Sequence, residues 1–234
     1  MNPPPNRLLL FDVDSTLLRG GPAKLAFTRA LEAVYGQLHH PSDLDFSGKT
    51  DPQIVRELAE GNGLTPEEVK AEMPRVWRWY LAELGDLIRQ EPPRILPGVV
   101  SLLDELARRG DAALGLVTGN LAQGARLKLT AVGLDGRFPV GAYGSDHEER
   151  NRLPGIAVER ANQHWGQSFS PSRVVVVGDT PRDVECARAH GARCVAVATG
   201  RFSTEALARE RPDHVLEDLQ DTARVLEVLT EESD

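Results

Sequence analysis

The apolar run Leu8-Leu9-Leu10-Phe11 stops at two acids one residue apart, in Asp12-Val13-Asp14-Ser15-Thr16-Leu17, and this constrains the fold more than any other stretch. Four apolar residues suffice for one buried strand. Alternation along that strand directs Asp12 and Asp14 to the same side. Two negative charges so placed repel unless a cation, a shared proton or hydrogen-bond donors relieve them. Taken alone, the pair is explained by a strand terminus at which Asp14 caps a turn.

The pattern recurs downstream, which changes the weighing. Val174-Val175-Val176-Val177 reads as a strand buried on both faces, the mark of a parallel sheet covered by helices. It runs into Gly178-Asp179-Thr180-Pro181-Arg182-Asp183, where Pro181 suits the first turn of a helix that also carries Asp183. Between the two lies Leu114-Gly115-Leu116-Val117-Thr118-Gly119-Asn120, a third apolar strand ending in a hydroxyl, a glycine and a good helix N-cap. Further strands and helices alternate to the end of the chain, so the expected fold is α/β, a doubly wound parallel sheet with right-handed crossovers. In such sheets ligands bind outside the carboxyl ends of the strands, where these polar groups converge.

Asp12-Val13-Asp14-Ser15-Thr16, Thr118-Gly119-Asn120 and Gly178-Asp179-Thr180-Pro181-Arg182-Asp183 resemble, in this order, the first, second and fourth motifs of the haloacid dehalogenase superfamily of phosphohydrolases. Two departures stand out. Ser15 occupies the place of a usual glycine, and the third-motif lysine is missing. Arg150 and Arg152 are the candidates to replace it, Arg150 being preferred for its distance from the following helix.

The resemblance implies a set of roles. Asp12 is the nucleophile, forming an aspartyl-phosphate. Asp14 is the acid and then the base, with a pKa expected to be raised by its acidic neighbours. Mg²⁺ is the expected cofactor, held by Asp12, the backbone carbonyl of Asp14, Asp179 and Asp183. Thr118, the backbone N–H groups of Gly119 and Asn120, and Arg150 are expected to hold the phosphoryl oxygens. The expected substrate is a small phosphorylated metabolite, with phosphoglycolate the first to try.

From Leu18 to about Pro93 no convincing strand appears. Ala23–Tyr35, Pro52–Glu60 and Pro66–Arg89 read as helices, and Thr65-Pro66-Glu67-Glu68 gives an N-cap with an acidic first turn. Residues 18–93 are therefore read as a helical insertion, which the resemblance identifies as a cap domain, with 1–17 and 94–234 forming the core. Met73, Trp77, Tyr80, Leu81, Leu84 and Ile88 form a packing stripe, and Trp79 lies off it, exposed. Thr50 and Gln53 have capping-box spacing. Lys49 has no such explanation; it resembles the cap-loop basic residue of phosphoglycolate phosphatase-like relatives and is a candidate substrate contact. His39-His40, beside a proline, reads as a solvated loop.

Composition narrows the partners. The net charge of −8 is spread over interspersed acids and bases without a basic block, so nucleic acid is not an expected partner. No apolar run approaches bilayer length, and Met1 to Arg7 carries no apolar segment of signal-peptide type, which predicts a cytoplasmic protein. Cys186 and Cys194 are expected to be buried fillers.

Alternatives remain at this stage. A dehalogenase dispenses with the metal and the second aspartate, so the intact acids disfavour it. A phosphohexose mutase has a similar first motif. A phosphoryl-accepting receiver orders its acids differently and lacks the insertion, and a silent binding module has no need of Asp12 and Asp14.

Overall fold

The structure, a computed structural model, describes residues 5–38 and 46–231; His39-His40 lies outside them. Its frame is a six-stranded sheet built from β1 (Arg7–Phe11), β4 (Ala112–Thr118), β5 (Val140–Tyr143), β6 (Val174–Gly178), β7 (Arg193–Val197) and β8 (His214–Leu216). The spatial order is β5-β4-β1-β6-β7-β8, and every pairing is parallel. β1 sits at the centre, between β4 and β6. Its carboxyl end is where the chain switches from one half of the sheet to the other, the place such folds reserve for ligands.

Helices α4 (Val99–Arg109), α5 (Ala122–Thr130), α6 (Leu153–Trp165), α7 (Pro181–His190), α8 (Thr204–Arg209) and α9 (Thr222–Thr230) cover the sheet. Strand alternation divides the central residues between two apolar layers. Leu9, Phe11, Val175 and Val177 face one layer with Leu102, Leu103 and Leu226, whereas Leu8, Leu10, Val174 and Val176 face the other with Leu153, Ala157 and Val184. Removing such side chains from water contributes about 1.5–3 kcal/mol each, which is why these strands read as unbroken apolar runs. Cys186 and Cys194 are buried and unpaired in the second layer.

Between β1 and α4 the chain leaves the sheet through a two-residue strand, β2 (Leu18–Arg19), and returns through β3 (Arg94–Ile95), which pairs antiparallel with it. This ribbon was not visible in the sequence, where Leu18-Arg19 is too short to show a period. The intervening α1 (Ala23–Tyr35), α2 (Asp51–Gly61) and α3 (Pro66–Leu87) form an apolar cluster of their own, with Phe27, Leu31, Leu58, Tyr80, Leu84 and Ile88 buried. Met73, Trp77 and Leu81 pack partly buried against it, while Trp79 is 45% exposed. Thr65 and Glu68 close a full capping box on α3. Thr50 caps α2 by accepting from Gln53 N–H, but the Gln53 side chain donates to Glu57 instead of reaching back. No helix of the described residues is long and apolar enough to cross a membrane.

Candidate active site

The carboxyl ends of β1, β4 and β6 open into one cavity of about 480 Å³, lined among others by Asp12, Asp14, Thr118, Gly119, Asn120, Lys128, Arg150 and Asp179. Asp12 ends the first strand, its N–H donating to Val177 O at 2.9 Å, which fixes it beside β6. Ser15 then turns the chain with φ +63°, a left-handed conformation that costs an L-residue about 1–2 kcal/mol. That strain explains in physical terms why glycine suits this position.

Asp179 follows β6, and Asp183 lies in the first turn of α7, as the sequence places them. Asp183 Oδ2 accepts from Thr180 N–H at 3.0 Å and Thr180 Oγ1 at 2.7 Å, so it closes the helix cap. Gly178 makes room for it: a Cβ there would lie 2.1 Å from the Asp183 carboxyl carbon. Asp179 Oδ1 accepts from Thr16 Oγ1 at 3.2 Å.

Among the described residues, Asp12, Asp179 and Asp183 form a group in which one carboxylate oxygen from each lies within 4.8 Å of the others. All three are buried. Burial, then Arg150 against it and the charges of Asp183 and Asp14 with it, leaves the Asp12 pKa raised to about 6. Burial together with Asp183 and Asp12 raises that of Asp179 to about 8. Such mutual frustration among hard oxygen donors is the chemistry a divalent cation relieves, so the donor set fits Mg²⁺.

Arg150 sits in a 3-10 turn, Arg150–Arg152, just ahead of α6. Its Nη2 donates to Asp183 Oδ1 at 2.5 Å and lies 3.2 Å from Asp12 Oδ1. Burial opposes its charge, but Asp183 and Asp12 hold the guanidinium pKa well above its ordinary value. Its buried Nε has no hydrogen-bond partner among the described residues. Arg152, by contrast, is exposed beside Glu149.

Asp14 overturns one expectation: its pKa is lowered rather than raised. Partial desolvation pushes it up, but the charge and hydrogen bonds of Lys128 and a bond from Asn120 outweigh that. Lys128 Nζ donates to Asp14 Oδ1 at 2.8 Å, Asp14 Oδ2 at 2.7 Å and Asn120 Oδ1 at 2.6 Å. Sequence reasoning missed this lysine. The available signal was its position on the inward face of α5, where it is buried beside Gly124, Ala125 and Leu129. Asn120 also departs from its expected role. It does not cap the helix, which begins after Leu121; its Nδ2 donates to Asp14 Oδ2 at 2.8 Å and Thr118 Oγ1 at 2.7 Å.

Residues 47–51 meet the core beside the cavity through backbone and side-chain hydrogen bonds. Asp51 N–H donates to Gly119 O at 2.7 Å, and Leu121 N–H donates to Asp51 Oδ2 at 2.8 Å. Thr50 Oγ1 donates to Glu148 O at 2.7 Å, and Arg182 Nη1 to Ser47 O at 2.9 Å. Gly119 permits the approach, since a Cβ would lie 2.1 Å from Lys49 O. Lys49 lines the cavity, and its ammonium lies 2.5 Å from Glu57 Oε2.

A family model described as HAD-hydrolase-like matches residues 154–222. The phosphoglycolate phosphatase of Synechococcus elongatus is 30% identical over 209 residues, covering 89% of this chain and 92% of that protein. The pyrophosphatase PpaX of Bacillus pumilus is 27% identical over 228 residues, covering 97% of this chain and 99% of its own. The crystal structure of a hydrolase from Pseudomonas syringae superposes with a TM-score of 0.74 at 21% identity, spanning 96% of this chain and 100% of that one.

Proposed function

The chain belongs to the haloacid dehalogenase-like family of phosphatases, and from that premise we propose that it hydrolyses a small phosphorylated metabolite with Mg²⁺, through an aspartyl-phosphate on Asp12. The observation that carries this reading is the convergence of Asp12, Asp179 and Asp183, drawn from two separate strand ends and one helix cap, next to the buried Arg150.

In this reading Asp12, Asp179 and Asp183, with the backbone carbonyl of Asp14, hold the ion. When bound, the ion neutralises the acids and the phosphoryl charge, letting one anion approach another. A carboxylate oxygen of Asp12 attacks phosphorus, and the bond from phosphorus to the alcohol oxygen breaks. The departing oxygen takes a proton from Asp14. Water then attacks the phosphorus, giving its proton to Asp14, and inorganic phosphate leaves with Asp12 restored. Lys128 favours the ionised form of Asp14, the form the second step needs, so the first step draws on the minor protonated form.

Thr118, the N–H groups of Gly119 and Asn120, and Arg150 with its unpartnered Nε–H are donors suited to the phosphoryl oxygens. Residues 18–93 act as a cap over a core made of 1–17 and 94–234, a division supported by the separate apolar cluster of α1 to α3. Lys49 borders the substrate space from that side, with its ammonium held by Glu57. The reading includes action in the cytoplasm, which the two buried free thiols support.

The test is release of inorganic phosphate from a generic aryl phosphate, with and without Mg²⁺. Mg²⁺-dependent turnover that vanishes in a folded Asp12→Asn variant is the expected result. Undiminished activity in that variant removes the mechanism, and a single stable labelling event points to a receiver.

A further inference from the structure

Away from the acids, the cavity runs into the helical insertion and its walls change character. Phe27 and Leu31 from α1, Ile54 and Leu58 from α2, Tyr80 from α3, and Phe46 just ahead of α2 line this part. The Phe27 and Tyr80 rings meet edge to face, 5.2 Å between centroids, which fixes the shape of the wall.

The inner cations bordering this chamber, Lys49 and Lys128, are already matched, whereas Lys24 and Arg201 stand at its solvent rim. Lys49 is held by Glu57, whose other carboxylate oxygen accepts from Gln53 Nε2. Lys128 is held by Asp14 and Asn120. Asp51 accepts from Leu121 N–H. Arg201 lies exposed over the Phe202 ring, and Lys24 is exposed at the rim. A carboxylate entering here would shed its water beside Asp51, and the two inner ammonium groups, Lys49 and Lys128, are committed to other acids. Burying an anion on those terms is unfavourable. An apolar group gives up little water-binding and gains the area it removes from solvent.

We propose that the substrate is a phosphate monoester whose alcohol part is apolar and uncharged, of the size of a phenyl ring or a short alkyl chain, seated against Phe27, Phe46 and Tyr80. This deepens the phosphatase reading and rests on it. Water converts the ester to the free alcohol and inorganic phosphate, so no further reactant is required. Glu57 sets the selectivity: by occupying Lys49 it denies that ammonium to a substrate carboxylate.

The experiment compares phosphate release from n-butyl phosphate and from phosphoglycolate, whose leaving groups are both alkyl alcohols, with the full chain in Mg²⁺. The wild type is expected to favour n-butyl phosphate in kcat/KM by about tenfold or more. Glu57→Gln, a change at a partly exposed site, is expected to raise the phosphoglycolate-to-butyl ratio about tenfold by freeing Lys49. Phe46→Ala is expected to raise KM for n-butyl phosphate about tenfold and to lower the butyl-to-phosphoglycolate ratio in kcat/KM. Equal or greater activity of the wild type on phosphoglycolate, or an unchanged ratio in Glu57→Gln, overturns the inference and leaves the phosphatase reading standing. Absence of phosphate release from both esters and from the aryl phosphate overturns the two together.

Discussion

Lys128 Nζ lies 2.7 Å from Asp14 Oδ2, an ion pair between a buried ammonium and a carboxylate whose side chain is 50% open to solvent. With Asn120 bridging the two, the lysine fixes where Asp14 points and in which protonation state it rests.

Lys128→Met therefore leaves Asp14 in place without its charge partner. The expected outcome is a fall in kcat of about 100-fold with little change in KM, and an upward shift of the acidic limb of the pH-rate profile. Steady-state kinetics across pH checks it. A loss of stability alone would lower the active fraction without moving that limb.

The two arginines of the 3-10 turn separate by burial. Arg150→Ala removes the partner of Asp12 and Asp183, and kcat/KM is expected to fall by about 100-fold or more. Arg152→Ala is expected to stay within about twofold, because that side chain lies in solvent beside Glu149. Arg150→Lys, which keeps the charge, is expected to recover part of the loss. The three variants are assayed side by side.

Ser15 holds φ +63° without a Cβ-free backbone, so Ser15→Gly relieves strain while adding freedom to the unfolded chain. The first effect outweighs the second by a modest margin. A rise in Tm of about 2 °C with unchanged kcat is the expected result, read by calorimetry and a phosphate-release assay.

The crowded acids make the metal-free protein sensitive to pH. Asp12 and Asp179 have folded pKa values raised to about 6 and about 8 from an ordinary 3.8, so the folded chain holds protons there that the unfolded chain has released. Stability is then highest below 3.8 as far as these two groups decide it, and it drains away as pH rises towards 8. Thermal unfolding in a chelator should show Tm falling by several degrees between pH 5 and pH 8, about the scale these shifts imply. Mg²⁺, by holding the ionised carboxylates, should flatten that slope.

The strands and their terminal acids were legible because Leu8–Phe11 of β1 and the four valines of β6 are buried on one face or the other, giving unbroken apolar runs. The helices between β1 and α4 were legible, but β2 (Leu18–Arg19) falls inside the stretch read as strandless. What escaped notice was tertiary in origin. Lys128 looks like any helical lysine until the fold turns that face of α5 towards Asp14. Asn120 has the chemistry of a cap, but the chain continues one more residue before the helix begins, releasing its amide to the site. The sign of the Asp14 shift was misjudged for the same reason: local sequence displays only the neighbouring acids, whereas the compensating cation comes from 114 residues away.

The paired strands Leu18–Arg19 and Arg94–Ile95 carry one further implication. Both crossings between the sheet and the helical block run side by side through that ribbon, so the block is tethered along a single line. A swing about that line would part Asp51 from Leu121 on the far edge. Opening at that edge would break the hydrogen bond that Leu121 N–H donates to Asp51 Oδ2.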